Sequence, residues 1–527
     1  MKQKTFLHGA LVLIAASLVT RIMGFVYRIF LTRLIGASGM GLFQLVFPLL
    51  NLVLTFVTAG LPVAISKLVA EAVAEGDRVR IRRILRVSSI VIGTLAVVFT
   101  LLMWFGRHFV LHHWLSDPRA YPSYLAMIPI VSIIAIATIY RGYFQGIQDM
   151  TPTAWASILE QMVRILTIWG LAAYFIRYSL PFAAAAAMMG MVFGELSGLV
   201  YLIVQQRRRA RLEQVLPEAP NRSTETTRQT LKSITAIAAP VTLSRLISSA
   251  IFALEPVLVT RALIHAGLTI HSATAAYGEY SGMAIPLLIF PTVFTWSLAT
   301  NLVPAVSEAV AGNNIQRVRI RLTQSFLATA IVGLPSSVIL TLLATPLSAA
   351  IYHQPEVGRI LAVMAPCGFL LYLQAPLTGI LQGLNKAGTA MRNSIIGGVV
   401  RLICIYWFAS SPHLGILGVA WAVTLSICLT TGLHIFSVAR QIGFPIRVES
   451  TIKTVIASLL MLIFVEVITR RGTSVTATTV WLALVGSFFL YFFLLCGFRV
   501  VTTANVKRLP KVGGLLATVV SWVPFAI

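Results

Sequence analysis

The sequence predicts an all-α protein that crosses a lipid bilayer many times. Three observations lead to this fold class. Of the 527 residues, 57% are hydrophobic and only 11% are charged. Apolar runs of about 20 residues, each long enough as a helix to cross ~30 Å of hydrocarbon, recur along the whole chain. Lysines and arginines gather in polar segments between alternate runs, as the positive-inside rule describes for cytoplasmic loops.

The apolar runs divide into fourteen predicted transmembrane helices. Arginine clusters follow the second, sixth and eighth spans, at residues 78–86, 207–211 and 317–321. Assigning these clusters to the cytoplasm places both termini there as well, and it makes the chain a multi-pass protein of the cell membrane. The predicted spans are residues 8–32, 41–68, 87–106, 122–146, 153–176, 182–204, 233–260, 280–309, 323–350, 359–384, 393–410, 414–438, 451–469 and 475–498.

An internal repeat relates two parts of the chain. Each residue of the first copy is separated from its equivalent in the second copy by the same number of residues, the number that separates Gln145 from Gln382. We call this number the offset of the repeat. Residues 140–165 (YRGYFQGIQDMTPTAWASILEQMVRI) resemble residues 377–402 (LTGILQGLNKAGTAMRNSIIGGVVRL). The copies are six spans apart. Because six is even, both copies cross the membrane in the same direction. This is the parallel-repeat arrangement of transporters built from two similar lobes.

The repeat and the longest polar segment predict four regions. Residues 1–206 form an N-terminal lobe of six helices, and residues 207–232 form a basic cytoplasmic linker. Residues 233–440 form a second six-helix lobe, and residues 441–527 add two helices and an apolar tail. The tail after Pro510 is too short to span comfortably, so we expect it to lie at the membrane interface.

The first predicted span carries arginines where the bilayer places hydrocarbon. Arg21 and Arg28 are seven residues apart, so they share a helix face, with Gly24 between them on that face. Arg21 lies roughly 21 Å along the helix from the start of the span. An arginine at this depth costs about 2.5–3.5 kcal/mol on insertion scales, so it should face protein or water rather than lipid. Arg33 is expected to anchor the outer rim.

A second arginine-bearing helix echoes the first. The segment LSRLIS around Arg245 resembles VTRIMG around Arg21. Two such helices predict a polar cavity, and arginine suits an anionic ligand there because its guanidinium matches phosphate oxygens bidentately. The alternative is that these arginines pair with buried carboxylates and only stabilise the fold.

Other ionisable residues inside the spans have two interpretations. Glu255, in the seventh span, could pair with Arg28 or bind a coupling cation. Glu160 and Arg164 are four residues apart and are predicted to form an ordinary ion pair within one helix. Arg401 is the repeat equivalent of Arg164. Lys67 is close to a cytoplasmic helix end and can extend to the interface.

The repeated Gly-x-x-Gln-Gly segments lie where spans 4 and 10 reach the cytoplasm. They contain Gly142 and Gln145 in the first copy, and Gly379 and Gln382 in the second. Glycine allows close backbone approach. We therefore predict a role in a gate or in loop packing, with substrate contact as the alternative.

The sequence contains no motif for covalent chemistry. There is no phosphate-binding loop, nucleophile elbow or paired-carboxylate motif, and no residues stand at metal-ligand spacing. Four cysteines lie singly in apolar runs and are expected to pack there: Cys367, Cys404, Cys428 and Cys496. The net charge of +25 belongs to the loops of a membrane protein and does not indicate nucleic-acid binding. We predict a protein that is not an enzyme and has no cofactor or bound metal.

The first span resembles the opening of a known superfamily. TRIMGF at 20–25, followed by Arg28 and by TRLIGA at 32–37, is similar to the start of the multidrug/oligosaccharidyl-lipid/polysaccharide exporters, and of their polysaccharide flippases in particular. The run LPVAISKLVAEAVAEGD at 61–77 also fits, and the resemblance covers essentially the whole chain.

The lipid II flippases of this superfamily share a motif, Ser/Thr-Arg-x-x-Gly-Phe-x-Arg. Arg21 matches its first arginine. Tyr27 occupies the second position, and Arg28 follows one residue later.

The resemblance implies two six-helix bundles that alternate between inward and outward openings. It implies a substrate with an undecaprenyl-type tail, either a lipid-linked oligosaccharide or a peptidoglycan precursor such as lipid II, in cell-wall or spore-cortex assembly. Arg21 and Arg28, with Arg245, would hold the pyrophosphate. The membrane potential, or a proton or monovalent cation at Glu255, would drive transport.

The sequence leaves two alternatives open. A cation-coupled multidrug antiporter of the same superfamily would offer acidic groups to its drugs, whereas the first span has arginines and no acid. A membrane-embedded enzyme of polysaccharide synthesis would need acidic catalytic residues, usually on a sizeable loop, and neither is evident.

Overall fold

The computed structural model describes residues 2–58, 60–214, 226–443, 448–471 and 477–501. All regular secondary structure in these ranges is helical, which confirms the predicted fold class. Part of the predicted linker and the whole apolar tail after Pro510 lie outside the described residues.

The chain divides into two compact units, Met1–Gly282 and Met283–Ile527. The predicted boundaries of the lobes and linker stay a prediction. The helices of the first unit are α1 (Lys2–Thr58), α2 (Leu61–Glu75), α3 (Arg78–Phe105), α4 (Arg107–Phe109), α5 (Tyr121–Gly146), α6 (Thr151–Phe175), α7 (Leu180–Gln214), α8 (Thr227–His265) and α9 (Ile270–Tyr277). Wider π-helical turns occupy Val110–Trp114 and Gly278–Ala284, and a 3-10 turn occupies Pro118–Ala120.

The second unit continues from that π-helical turn. Its helices are α10 (Ile285–Ile289), α11 (Thr292–Ala311), α12 (Ile315–Leu342), α13 (Ala344–Tyr352), α14 (Glu356–Met364), α15 (Gly368–Gly383), α16 (Ala387–Ala409), α17 (Ile416–Ile442), α18 (Val448–Arg471) and α19 (Ala477–Gly497). A 3-10 turn at Ala365–Cys367 joins α14 to α15.

When spans are counted from the length and composition of the helices, the structure has fewer of them than the sequence predicts. Ten helices of the described residues are long and apolar enough to cross a membrane, or eleven if one bent pair counts as a single span. Residues 16–75 count only once among these, although 60 residues far exceed one crossing. Gly36, with φ 66° and ψ −172°, breaks the helix between the first two predicted spans. The predicted count of fourteen is not confirmed.

The offset of the sequence repeat recurs in the local structure of the two units. After α5, Gln148 adopts φ 60°, and after α15 its equivalent Asn385 adopts φ 58°. Before α3, the Asp77 side chain accepts a hydrogen bond from a backbone N–H, and before α12 its equivalent Asn314 does the same. Equivalent residues thus end and begin equivalent helices.

Equivalent glycines pack equivalent helices. A Cβ atom on Gly146 of α5 would lie 2.7 Å from the Val69 Cβ of α2, and one on Gly383 of α15 would lie 2.6 Å from the Val306 Cβ of α11. Val69 and Val306 are themselves separated by the offset of the repeat. A larger side chain at either glycine would push its helix pair apart, since real Cβ atoms do not approach this closely.

Two pairs of repeat-equivalent residues touch each other inside the first unit. Gln44 Nε2 donates to the Ser281 carbonyl at 2.9 Å. A Cβ atom on Gly278 would lie 2.6 Å from the backbone nitrogen of Gly41. Equivalent residues can touch only where the two copies of the repeat meet. The second-copy residues of both pairs, Ser281 and Gly278, come before the end of the first unit at Gly282. The first unit therefore contains α8 and α9 of the second copy together with α1 of the first.

Candidate functional site

The arginine face of α1 is turned toward α6. Arg21 is exposed and Arg28 is half-buried. Gly24 lies between them on the same face, and a Cβ atom there would be 3.7 Å from Nε2 of Gln161 on α6. The side of α1 that the sequence singles out therefore borders α6. Arg33 is exposed, and its role as an anchor at the outer rim stays a prediction.

Tyr27 joins α1 to the ionisable residues of α6. Its side chain is buried, and both Arg28 and Arg164 are close enough to act on it electrostatically. Its hydroxyl and the Gln161 Nε2 are buried atoms without a hydrogen-bond partner among the described residues. These polar groups extend the arginine face of α1 into the interior of the first unit.

Four ionisable side chains on three helices form what we call the polar cluster: Arg141 of α5, Glu160 and Arg164 of α6, and Glu195 of α7. Arg141 Nη2 donates to a Glu160 oxygen and lies 3.4 Å from Glu195 Oε2. Arg164 Nη2 donates to Glu195 Oε1 at 3.1 Å. The side chains of Glu160 and Glu195 are only 9% and 11% exposed. The cluster thus links α5, α6 and α7 through buried charges.

The predicted ion pair between Glu160 and Arg164 is wrong. Arg164 pairs instead with Glu195, and Glu160 pairs with Arg141. An i, i+4 pair contributes only about 0.2–0.5 kcal/mol on an isolated helix. Buried carboxylates on neighbouring helices can outweigh that contribution because the Coulomb interaction strengthens away from water.

Three glycines on α7 bring α6 close enough for these pairs to form. Gly190, Gly194 and Gly198 recur every four residues, the small-xxx-small pattern of tightly packed membrane helices. A Cβ atom on Gly194 would lie 2.8 Å from the Glu160 carbonyl, and one on Gly198 would overlap the Glu160 carboxyl group. This pattern could have predicted the contact of α6 with α7, and with it the meeting of Glu195 with α6. Arg141 gives no such signal, since it lies near the predicted end of its span.

The polar cluster belongs to one copy of the repeat only. When its four positions are shifted by the offset of the repeat, Arg164 alone is matched by a residue of the same type. The equivalent positions in the second copy are Thr378, Gly397, Arg401 and Gly432. The framework that both copies share does not need the cluster, so its buried charges are candidates for function. Arg401 itself is half-buried on α16.

Arg245 is exposed on α8, close to the side of α8 that meets α1. Thr242 and Ser249 lie one helical turn before and after it. Both form hydrogen bonds with residues at the C-terminal end of α1 or just after it. The Ser249 hydroxyl lies 2.8 Å from that of Thr55, and the Gly60 N–H donates to the Thr242 hydroxyl at 3.2 Å.

Glu255 is buried on α8. Its Oε1 accepts a hydrogen bond of 2.8 Å from the hydroxyl of Tyr280, in the π-helical turn that follows α9. The ion pair with Arg28 and the cation site both stay predictions.

The repeated Gly-x-x-Gln-Gly segments separate into two roles. Gly142 and Gly379 are buried, and a Cβ atom on either would lie 3.0 Å from an atom of the neighbouring helix. Their role is therefore close packing. Gln145 and Gln382 are exposed at the ends of α5 and α15, and a gate function for them stays a prediction.

Metal-ligating residues do not gather among the residues described: no group of three or more His, Cys, Asp or Glu could hold an ion. Cysteines that are distant in the sequence do meet. The sulfur atoms of Cys367 and Cys428 lie 3.4 Å apart, which links the 3-10 turn before α15 to α17.

Comparison with known families decides the relationship of the chain. The model of the polysaccharide biosynthesis protein family matches residues 6–310, more than half of the sequence. The chain belongs to this family. The model of the MatE family matches residues 264–407 in addition. These matches confirm the resemblance found in the first span.

Curated relatives from the family cover nearly the whole chain. Stage V sporulation protein B of Bacillus subtilis (strain 168) is 37% identical over 98% of this chain and 100% of the relative. The protein named lipid II flippase MurJ of the same organism is 25% identical over 96% of this chain and 97% of the relative. A solved structure of a lipid II flippase MurJ in an inward closed conformation shares the fold, with a TM-score of 0.70 at 14% identity, over 91% of this chain and 97% of that one.

Proposed function

We propose that this member of the polysaccharide biosynthesis protein family is a flippase. Its substrate is a lipid-linked oligosaccharide or a peptidoglycan precursor such as lipid II, which it moves across the cytoplasmic membrane by alternating access in cell-wall or spore-cortex assembly. Family membership supports a transporter rather than an enzyme, since the relative 25% identical to this chain is named a flippase. Both termini are proposed to be cytoplasmic.

The arginine face of α1 carries this proposal. Arg21 is exposed on α1, deep within the first predicted span, where most neighbouring residues are apolar. Since such a side chain is too costly to hold in lipid, it must line a space that admits water or a polar ligand. A guanidinium there offers paired N–H donors to phosphate oxygens. We assign Arg21 and Arg28, with Arg245, to the pyrophosphate of the substrate.

The polar cluster supports an anionic ligand. Its two arginines and two glutamates balance in formal charge, and Arg28 beside it brings the sum of the five side chains to +1. The glutamates hold Arg141 and Arg164 in fixed directions, and the excess positive charge extends from the arginine face of α1. A preorganised positive site lowers the barrier for a charged head group without breaking a bond. The lipid tail of the substrate remains in the bilayer.

The driving force is proposed to be the membrane potential, or a proton or monovalent cation at Glu255. Glu255 is buried and its carboxylate accepts a hydrogen bond from Tyr280, and a carboxylate is a group that can take up a proton or ligate a cation. The coupling is tested by measuring transport with and without a sodium gradient, and with and without a pH gradient, in Glu255→Gln and in the unchanged protein.

The second candidate function is cation-coupled multidrug export, which the MatE match at residues 264–407 favours. The arginine face argues against it because a cationic drug would be repelled there. The two functions separate in proteoliposomes. We expect the protein to move the head group of fluorescent lipid II to the opposite leaflet and not to move ethidium. Movement of ethidium alone would establish the antiporter instead.

A further inference from the structure

An open apolar groove of about 950 Å³ runs along α6 and α7. Nine of its twelve lining residues are apolar or glycine, and the other three carry hydroxyl groups. Leu166 on α6 and Phe193 and Val200 on α7 line it and are exposed. A groove of this chemistry on a membrane protein is filled by hydrocarbon, since water there would be opposed by the apolar walls.

Aromatic residues mark the membrane depth of the groove. Trp155 near the start of α6 and Tyr174 near its end are both exposed. They are nineteen residues apart, which corresponds to about 28 Å along the helix. Exposed Trp and Tyr side chains collect at the two faces of a bilayer whose hydrocarbon is ~30 Å thick. The groove lining, residues 159–171 on α6, therefore lies within the acyl region of the membrane.

The groove leads to positive charge at one end. On α7 the groove is lined by Val200 and then by Val204. Arg207 and Arg208 follow three and four residues after Val204. Helical spacing keeps both arginines within about 60° of that lining stripe and about 6 Å beyond it. Both are exposed. The next residue, Arg209, is instead directed to Asp149 by an ion pair of 2.7 Å.

We propose that this surface is a binding site for an anionic phospholipid. The acyl chains lie in the groove between α6 and α7, and the phosphate group contacts Arg207 and Arg208. The charge complementarity selects the ligand, since a zwitterionic lipid would fill the groove without a net negative charge for the arginines. The transported substrate is not the occupant, because its phosphates belong at the arginine face of α1. The choice of a phospholipid over the substrate rests on that proposed function, whereas the groove and its arginines do not.

The site adjoins the polar cluster through the two helices that form it. Leu159 and Val163 line the groove next to Glu160 and Arg164 in the sequence of α6, and Leu196 lines it next to Glu195 on α7. A lipid in the groove therefore supports the same stretch of the α6–α7 pair whose other side holds the buried charges.

Photo-crosslinking tests the proposal without an activity assay. The full-length protein in nanodiscs is irradiated with a trace of phosphatidylglycerol that carries a diazirine in its acyl chain, or with phosphatidylcholine labelled in the same way. Peptide mass spectrometry then maps the sites. We expect labelling of residues 159–171 and 193–204 to be at least 3-fold stronger with phosphatidylglycerol. Equal labelling by the two lipids would overturn the proposal.

Replacing the two arginines tests the head-group contact. The double variant Arg207→Ala/Arg208→Ala should lower phosphatidylglycerol labelling of the groove to the phosphatidylcholine level. The matched control is Arg82→Ala/Arg86→Ala, which removes two exposed arginines from α3 and should leave the preference unchanged. A preference that survives in the first variant, or that is lost in both, contradicts the assignment.

Filling the groove tests the chain contact. A Cβ atom on Gly170 meets no atom within 4 Å, so Gly170→Trp places an indole in the groove without displacing the backbone. Labelling by both lipids should fall at least 3-fold there. Gly93→Trp on α3 is the control, since its Cβ atom also meets open space. Displacement of the phosphatidylglycerol probe by undecaprenyl phosphate, but not by unlabelled phosphatidylglycerol, would show that the occupant is a polyprenyl lipid and overturn the proposal.

Discussion

Gly198 shows how a single missing side chain positions a charge. The Glu160 carboxyl group occupies the space that a Cβ atom on Gly198 would fill, so the Arg141 pair forms against the bare backbone of α7. Overpacking a buried contact of this kind costs about 1–3 kcal/mol. We expect Gly198→Ala to lower the apparent melting temperature in detergent by several degrees. Gly170→Ala, in open space on α6, should leave it unchanged, and equal effects would argue against the close contact.

Glu195 is predicted to be essential to the polar cluster. Removing one partner of a buried ion pair leaves an uncompensated charge and costs about 3–5 kcal/mol. Glu195→Gln should therefore destabilise the protein strongly, as measured by chemical denaturation in detergent. The double variant Glu195→Gln/Arg164→Gln should regain much of the loss. Glu308→Gln, at an exposed carboxylate, serves as the control, and a loss as large in that control would refute the assignment.

At the scale of residues, the sequence identified charged side chains by their depth in the membrane, but it did not identify their ion-pair partners. Helix rise alone identified Arg21 and Arg28 as unusual, and the structure confirms that they share a face with Gly24. The partners of Glu160 and Arg164 could not be read from spacing, because they come from α5 and α7. Those contacts depend on helix packing that only the small residues of α7 signalled.

The segment between α3 and α5 is fastened to α8 and α9 by polar contacts. The carboxylate of Asp117 receives hydrogen bonds from Arg119 and from the Thr274 hydroxyl, the latter at 2.9 Å. The hydroxyl of Thr260 donates to that of Ser116 at 2.6 Å. Arg261 Nη2 on α8 donates to the carbonyl oxygen of His113, in the π-helical turn Val110–Trp114, at 2.7 Å. These bonds connect the segment between α3 and α5 to α8 and α9.

The hydrogen bonds to the Asp117 carboxylate are predicted to weaken in acid. Burial alone would raise the pKa of Asp117, but the hydrogen bonds from Arg119 and Thr274 outweigh it and hold the pKa below its ordinary value of 3.8. The charged carboxylate therefore stabilises the fold at pH values above about 4, and this stabilisation is lost as the pH falls through the lowered pKa. The melting temperature should drop below pH 4 more steeply than in Asp117→Asn. Parallel curves for the two proteins would contradict the prediction.

Cys367 and Cys428 offer a test of how α17 packs. Their sulfur atoms are 3.4 Å apart, so a small movement would allow a disulfide. Copper phenanthroline should remove two of the four free thiols, measured by thiol alkylation and mass spectrometry. Cys428→Ser should prevent the loss, and Cys404→Ser should not. Retention of all four thiols in the unchanged protein would place the 3-10 turn before α15 further from α17.

Helices were easier to predict than their boundaries. Hydropathy located nearly every apolar helix, because backbone groups in lipid must be satisfied within the helix itself. It divided α1 into two spans on either side of Gly36, and the structure has a break in backbone conformation there. The number of crossings could not be fixed in this way, since a continuous helix can contain more than one span.

For the whole molecule, the repeat was the most productive feature of the sequence. The offset found in one short pair of segments recurs in helix caps, left-handed turns and glycine contacts. The repeat also shows what is not duplicated. The polar cluster occurs in the first copy only, so a fold that is symmetric in its framework carries an asymmetric set of charges.

Head-group translocation of fluorescent lipid II in proteoliposomes tests most directly whether the arginine face of α1 binds the substrate. It compares the unchanged protein with Arg21→Ala, Arg28→Ala and the rim control Arg33→Ala, each checked for folding by size-exclusion chromatography. We expect transport in the unchanged protein and in Arg33→Ala, with at least a 10-fold loss in the other two. Full transport in Arg21→Ala and Arg28→Ala would contradict this expectation and assign these arginines to stability alone.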